Sequence, residues 1–413
     1  MPGWAAGRPH RIVSVIDLKA ARADPDGWRV ALARKGAADA FDRLLAADEA
    51  WRSLVPRIDE LRSKTKLKGK PTPEQLTELQ GVKEELRQAE EALAAAEAAR
   101  DAALAEVPNP PHPSAPDGAT DEDAETLREV GTIPELDDPK EHTEIGRFDM
   151  DRAARLSGSR FGYLIGDTAL LAMSLYRFAL DHLSNAGFTP MLPPVLVREE
   201  AMYGSGFFPT ERSNIYALEG DDLFLTGTSE VALAGLHLGE IIEADQLPLR
   251  YAAFSPCFRR EAGAAGKDTR GMFRVHQFNK VEMFVFVRPE DSWDEHERMV
   301  ALEEEFLQQL GLPYRAVNIA AGDLGAPAAK KIDLEAWFPP QGRYREVTSC
   351  SNTTDFQARR LGIRLRGEHG SEPLHTLNGT MVTDRAALAI LENFQGAVPD
   401  VLKAYGAPER IER

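Results

Sequence analysis

The stretch Phe254-Ser-Pro-Cys-Phe-Arg-Arg-Glu261, continued through Gly263 and Gly266-Lys-Asp-Thr-Arg-Gly271 to Phe273-Arg-Val-His-Gln-Phe-Asn-Lys-Val-Glu282, reads as two strands joined by a glycine-rich loop. Successive side chains of an extended strand point to opposite faces. Arg259 and Glu261 are therefore expected to share one face, joined on the return strand by Arg274, His276, Phe278 and Glu282. That face gathers cations, carboxylates and an aromatic ring. Such a set suits a nucleoside triphosphate beside an amino acid: guanidinium for a phosphate, ring for a base, one carboxylate for an exocyclic amine and another for an ammonium. A solvated hairpin also alternates charged and core residues, and four or five such residues alone would not tell the two apart.

Two other stretches carry compatible chemistry. Leu225-Thr-Gly-Thr-Ser-Glu230 offers hydroxyls and a carboxylate with which a small polar amino acid can be buried without unpaired groups. Taken alone, the same Thr/Ser/Glu run equally suits a helix N-cap. In the stretch His375-Thr-Leu-Asn-Gly-Thr-Met-Val-Thr-Asp-Arg385, Arg385 opens an amphipathic helix carrying Leu388 and Leu391. A helix N-terminus with an added guanidinium is an anion site.

The 254–282 segment closely resembles motif 2 of the class II aminoacyl-tRNA synthetases, and in detail the seryl enzymes, whose version runs from FRxEAG through AG(R/K)DTRG to HQFxKVE. Gly187-Phe-Thr-Pro-Met-Leu-Pro-Pro194 resembles motif 1, which builds the class II dimer interface, so Pro193 and Pro194 point to a homodimer. The Thr228-Ser-Glu230 loop, the run from Tyr344 to Arg360 and the His375–Gln395 stretch are similar to the serine-binding loop, a seryl-specific segment and motif 3. The resemblance spans the chain from about Val15 onward.

The resemblance implies a site residue by residue. Arg259 and Arg385 would be catalytic. Serine would be held by Thr228, Ser229, Glu230, Arg259, Glu282, Asn378 and Thr380. ATP would lie on Arg259, Arg260, Glu261, Val275, Phe278 and Arg385, and on the run Glu346, Val347, Thr348 and Ser349. Glu346 and Ser349 would also hold Mg²⁺, an ion suited by a carboxylate and a hydroxyl because waters and phosphates supply its other ligands. Cys350, in the same run, is expected to be packing, since no covalent enzyme intermediate is required. Thr348 and Thr380 stand where the family often has serine, and the motif 3 loop lacks the family's second glycine.

The implied activity is that of a serine–tRNA ligase, forming seryl-adenylate from L-serine and ATP and transferring the seryl group to the 3′ end of tRNA(Ser) and tRNA(Sec). Two alternatives stay open on the sequence: a paralogue serving secondary metabolism, and a non-catalytic synthetase-like binding protein.

The N-terminal part reads differently. Phe41, Leu44, Asp48, Trp51, Val55 and Ile58 follow steps of three and four, as do Leu79, Val82, Leu86, Ala89, Leu93, Ala96, Ala103 and Val107, with Arg100 the polar occupant of the second seam. Between them lies Lys64-Thr-Lys-Leu-Lys-Gly-Lys-Pro-Thr-Pro73, a helix-breaking segment. An antiparallel helical hairpin with a basic tip is expected, and Pro56 should kink or shorten its first helix. Such a hairpin commonly serves as a spacer or dimerisation coiled coil. In the seryl family it is the arm that holds tRNA, which makes Lys64, Lys66, Lys68 and Lys70 candidates for phosphate neutralisation.

The fold class expected is α+β: an N-terminal domain over 1–115 with a coiled-coil arm at about 40–107, a Pro-rich and acidic linker over 116–140, and a class II catalytic domain over 141–413 built on an antiparallel sheet flanked by helices. No GxxxxGK[ST] or GxGxxG run supports a P-loop or dinucleotide fold. A net charge of −17 disfavours generic attraction to nucleic acid or anionic membrane, so RNA contact must use a local basic patch. Two cysteines, Cys257 and Cys350, supply neither a structural zinc site nor a disulfide framework, and a reducing cytoplasm is expected. The apolar run Ile12–Ile16 is short, and a soluble protein without a membrane partner is expected.

Overall fold

The computed structural model describes residues 16–66, 72–262, 271–367 and 370–411. The chain divides into two compact units, Met1–Pro110 and Pro111–Arg413.

In the first unit two short helices, Leu18–Ala23 and Pro25–Ala33, precede a long pair, Ala38–Thr65 and Pro73–Glu106. Both seam patterns face inward along the pair: Phe41, Leu44 and Ile58 are buried, while Leu79, Val82, Leu86 and Leu93 are half-buried and Val107 at the end of the return helix is buried. Arg100 takes its seam position by laying its guanidinium over the Trp51 ring at 4.2 Å and pairing with Asp101 at 2.9 Å. Asp48, the acidic residue of the first seam, accepts two hydrogen bonds from Arg22 of the leading helix at 2.8 and 2.6 Å, which offsets its burial. The return helix starts where Thr72 and Gln75 cap each other's backbone N–H groups, with Pro73 at the first helical position. Its 34 residues span about 50 Å at 1.5 Å per residue. The expected shortening at Pro56 does not occur: the first helix is continuous through it to Thr65. A proline removes a single intrahelical hydrogen bond, and the packed Ile58 and Leu61 on its C-terminal side hold the turn together. The short helices at 18–33 carry no signal that the heptad pattern extends to them.

The second unit is built on an eight-stranded sheet. In spatial order its strands are Glu125–Val130, Tyr314–Asn318, Lys330–Phe338, Arg343–Asn352, His375–Thr383, Gln277–Val287, Leu249–Phe258 and Thr189–Met191. All neighbours are antiparallel except the last pair, where Thr189–Met191 runs parallel to Leu249–Phe258. The stretch expected as a linker over 116–140 supplies the edge strand Glu125–Val130, so it belongs to the sheet. Prolines and acidic residues suit such a place, because an edge strand needs only one paired side and stays wet on the other.

One face of the sheet is covered by the helices Asp167–Asn185, Ser292–Gln309 and Asp384–Phe394. Val281, Met283, Val285 and Val287 turn to that core, where the Phe178 and Phe306 rings stack at 4.8 Å. The alternate residues Phe284 and Phe286 pack against Leu233, Ala358 and Leu361 on the other side. Earlier on the same strand the residues of that second face are Phe278, Lys280 and Glu282, and there the sheet opens into a cavity.

Candidate active site

The cavity lies between the Gln277–Val287 and His375–Thr383 strands, the Thr226–Glu230 turn and the start of the Asp384–Phe394 helix. A bulge shapes it. Val281 pairs with Val382 but Glu282 pairs with Thr380, so Met381 is the extra residue and Thr380 stands directly opposite Glu282. At the adjacent Gly379 a Cβ would come within 2.9 Å of both Glu303 Oε1 and Met283 Cε, so a larger residue there would displace the tips of those two side chains.

One end of the cavity is dominated by buried carboxylates. Glu230 begins the Glu230–Ala234 helix and accepts hydrogen bonds from Gln357 Nε2 at 2.7 Å and Asn378 Nδ2 at 2.9 Å. Glu282 accepts one from the Thr228 hydroxyl at 3.3 Å and ion pairs with Lys280. Burial and the neighbouring Glu282 push the Glu230 carboxyl up to about 7, and burial also raises Glu282. Two desolvated carboxylates in one pocket are costly alone and become favourable when a cationic ligand enters.

The other end carries the cations. Arg259 donates from Nε to the Gly227 carbonyl at 3.1 Å and lies 5.4 Å from the Phe278 ring centroid. Glu261 pairs with Arg274. Arg385 follows the Thr383 N-cap, donates to the Glu346 carbonyl at 3.1 Å and lies over the Phe273 ring at 4.8 Å. Val275, Val347 and Ser349 complete this wall. Desolvation by the walls pushes Glu346 up, but Lys331, Arg385 and Arg259 more than offset it and hold the carboxyl below its ordinary value. Its side chain is 48% exposed. Among the described residues no group of three or more His, Cys, Asp or Glu is placed to hold a metal ion. Glu346 and Ser349 line one cavity and present hard oxygen donors, a set that fits Mg²⁺ completed by waters and phosphates.

Most of the residues expected from the sequence meet here: Thr228, Glu230, Arg259, Glu261 and Val275, then Phe278, Glu282, Glu346, Val347, Ser349, Asn378, Thr380 and Arg385. Three do not line the cavity. Ser229 is buried behind the turn, and Thr348, on the opposite face of its strand, donates instead to Glu303 at 2.8 Å. Arg260 lies near the Tyr216 ring, 5.9 Å away. The expected face-sharing also needs correction. The first strand ends at Phe258, and Glu261 has φ 51°, so Arg259 and Glu261 reach the cavity through an irregular turn. The return strand begins only at Gln277, and His276 turns aside to bond the Arg259 carbonyl at 2.9 Å and pack on Phe161. Lys280 and Gln357 belong to the site, although the sequence reading assigns them no role in it, and Arg274, expected on the shared face, lines it too. Alternation on the return strand carried the signal for Lys280. Cys350 is fully buried, and burial pushes its thiol well up, which suits packing. Lys64 pairs with Glu60 at 2.6 Å, whereas Lys68 and Lys70 lie outside the described residues. Among the described residues, no helix is long and apolar enough to cross a membrane.

Comparisons with known proteins agree with this geometry. Residues 15–111 match the family model for the seryl-tRNA synthetase N-terminal domain, and residues 214–394 match that for the class II tRNA synthetase core domain (G, H, P, S and T). A serine–tRNA ligase of Streptomyces avermitilis is 47% identical, covering 96% of this chain and 99% of its own length; one of Streptomyces coelicolor is 48% identical with the same coverage. The crystal structure of Pyrococcus horikoshii seryl-tRNA synthetase complexed with ATP superposes with a TM-score of 0.90 at 40% identity, covering 96% of this chain and 99% of that one. An antiparallel helical pair, a sheet cavity with paired carboxylates and facing arginines, and relatives matched over almost their whole length lead to one conclusion: the chain belongs to the seryl-tRNA synthetases and is a serine–tRNA ligase.

Proposed function

We propose that the cavity activates L-serine with ATP and that the seryl group then passes to tRNA(Ser), and to tRNA(Sec). A carboxylate oxygen of serine attacks the α-phosphorus, the bond to the bridging oxygen breaks, pyrophosphate leaves and seryl-adenylate remains. The terminal ribose hydroxyl of the tRNA next attacks the acyl carbon and releases AMP. The observation that carries the proposal is the division of the cavity into a carboxylate end and an arginine end. Glu230 would face the serine ammonium, with Asn378 holding it in place, and Glu282 and Thr380 would face the hydroxyl. Alanine would leave those groups unpaired and should be rejected. Arg259 would neutralise charge on the α-phosphate, and Arg385 would draw the leaving pyrophosphate toward its helix N-terminus. Phe278 offers its ring to the adenine and Glu261 an acceptor for the exocyclic amine. Mg²⁺ would be held by Glu346 and Ser349 and would supply charge neutralisation on the phosphates.

The helical pair would serve as the tRNA arm, with Lys64, Lys66, Lys68 and Lys70 at its turn neutralising phosphates. We place the 1–115 segment in tRNA binding and 141–413 in catalysis. A homodimer is supported by the motif 1 prolines Pro193 and Pro194 and by the exposed apolar side chains of Leu170, Met173 and Leu192. The cytoplasm, where serine, ATP and tRNA occur together, is the expected location. The test is ATP–pyrophosphate exchange with each of the twenty amino acids. Exchange with serine alone is expected, and exchange with another amino acid or none would overturn the reading.

A further inference from the structure

Lys280 is the only buried cation among the described residues that line the cavity, at 5% exposure. It sits between Phe278 and Glu282 on the cavity face of the strand. A lysine in a strand interior is costly to bury, and a hydrophobic residue of similar size would usually be at least as stable there. Its ammonium ion pairs with Glu282 and reaches Thr380 Oγ1 at 3.5 Å. The contacts that Lys280 and Thr228 make with Glu282 both fall on Oε2, which leaves Oε1 to accept from a ligand.

The hydrogen-bond polarity follows from the groups. An ammonium only donates, so Thr380 Oγ1 accepts from Lys280 and turns its own hydrogen elsewhere. Glu282, as the carboxylate of its ion pair with Lys280, only accepts. The two residues stand opposite each other across the bulge and together present one donor and one acceptor. That is the complement of an alcohol, which both accepts and donates. We infer that Lys280 is a positioning residue for substrate selection: acting through Glu282 and Thr380, it fixes the polarity of the two groups that meet the serine hydroxyl. An amino acid without that hydroxyl leaves both unpaired, whereas without Lys280 the pair can rearrange and the discrimination falls.

Charge adds a second consequence. The ionisable groups that interact with Lys280 and Glu282 are Glu230 and Arg259 in the cavity, Glu346 on the neighbouring wall, and Cys257, Glu303 and Cys350. Glu230 and Glu282 are already raised by burial, and Lys280 opposes that rise in both. Removing its charge lets them keep a proton to higher pH, so the acid limb of serine activation moves to more alkaline pH.

The role of Lys280 rests on placing serine at the carboxylate end of the cavity. The experiment is steady-state ATP–pyrophosphate exchange with serine and alanine, across pH, for the full chain and for Lys280→Gln, Lys280→Arg and Glu282→Gln. Lys280→Gln is expected to raise the serine KM about 10- to 100-fold, the range for unmaking a buried hydrogen-bonded charge. The ATP KM should stay unchanged, the serine-to-alanine preference should shrink, and the acid limb should move up in pH. Lys280→Arg should restore the acid limb and leave the serine KM raised, since a planar guanidinium cannot reproduce the point contact on Thr380. Unchanged serine KM and preference in Lys280→Gln, or equal rises in serine and ATP KM with an unmoved pH profile, would overturn the inference. If Lys280→Gln does not fold, Lys280→Arg decides alone: a serine KM like that of the unmodified chain refutes it. If Glu282→Gln also leaves serine activation intact, the placement of serine itself fails, and the role of Lys280 falls with it.

Discussion

The helical pair and the sheet cavity use the same charged residue types in opposite ways. Along the pair, Arg57 meets Glu85 and Arg62 meets Glu90, both at 2.9 Å, with side chains about half exposed. In the cavity, Lys280 meets Glu282 with side chains 6% and 2% exposed. Water screens the first kind of pair until it contributes little, whereas the second must be matched group by group or the fold suffers. Charge on the pair therefore stays in contact with water, while in the function proposed above the cavity charge is matched to a ligand. The contrast teaches that an ion pair's burial, more than its length, says which region does chemistry.

Breaking the cavity side should give the largest effect. Arg259→Ala is expected to lower serine-dependent exchange by about 10²- to 10³-fold or more, the loss typical of removing one preorganised donor from a developing charge. The circular dichroism melt should be unchanged, because the Arg259 side chain sits at the solvent-accessible mouth of the cavity. A variant with near-normal exchange would contradict its role.

The core of the first unit comes next. Phe41 is fully buried and stacks with Trp28 at 6.2 Å, so Phe41→Ala should cost about 3–5 kcal/mol in the stability of that unit. Hydrogen exchange of the helical pair would reveal it. Serine-dependent exchange should stay within about twofold, as expected for distant independent sites.

Glu230 sharpens the contrast because function and stability pull apart. Its carboxyl is pushed up from 4.5 to about 7, so over that range the folded state holds more proton than the unfolded chain. Stability of the ligand-free protein therefore falls as pH rises through this window. Glu230→Gln should stabilise the free protein by roughly 1–3 kcal/mol at about pH 8, seen as a higher melting temperature, while lowering kcat/KM for serine. A less stable variant with normal activation would contradict this account. The smallest effect belongs to the exposed pair: Arg62→Ala should shift the melting temperature by less than about 2 °C.

The sequence exposed the cavity unevenly, for physical reasons. Strand alternation correctly gathers Phe278 and Glu282, but it misplaces His276, because extended geometry begins only at Gln277. It also offers Lys280, which is easily passed over because a lysine two residues from a glutamate looks like part of a solvated face. The resemblance groups Thr348 with Glu346 and Ser349, but the strand carries a bulge at Val347, with Glu346 opposite Glu335 and Thr348 opposite Leu334, and the Thr348 hydroxyl goes to Glu303. Gln357 was unreadable, since its bond to Glu230 joins positions 127 residues apart. The heptad seams were plain, and Leu79, Val82 and Leu86 all turn inward as spaced. The edge strand Glu125–Val130 was not, because exposed acidic strand and acidic linker share one composition. Sheet order also stayed hidden, as no local signal brings 125–130 beside 314–318.

The division of labour between the two regions is tested most directly by running two assays on one variant, the full chain with Lys64, Lys66, Lys68 and Lys70 all replaced by glutamine. Serine-dependent ATP–pyrophosphate exchange and serylation of tRNA(Ser) would be measured in parallel with the unmodified chain. Unchanged exchange with charging that is weaker, and more so at higher salt, is the predicted result. Equal loss in both assays, or full charging, would contradict the account.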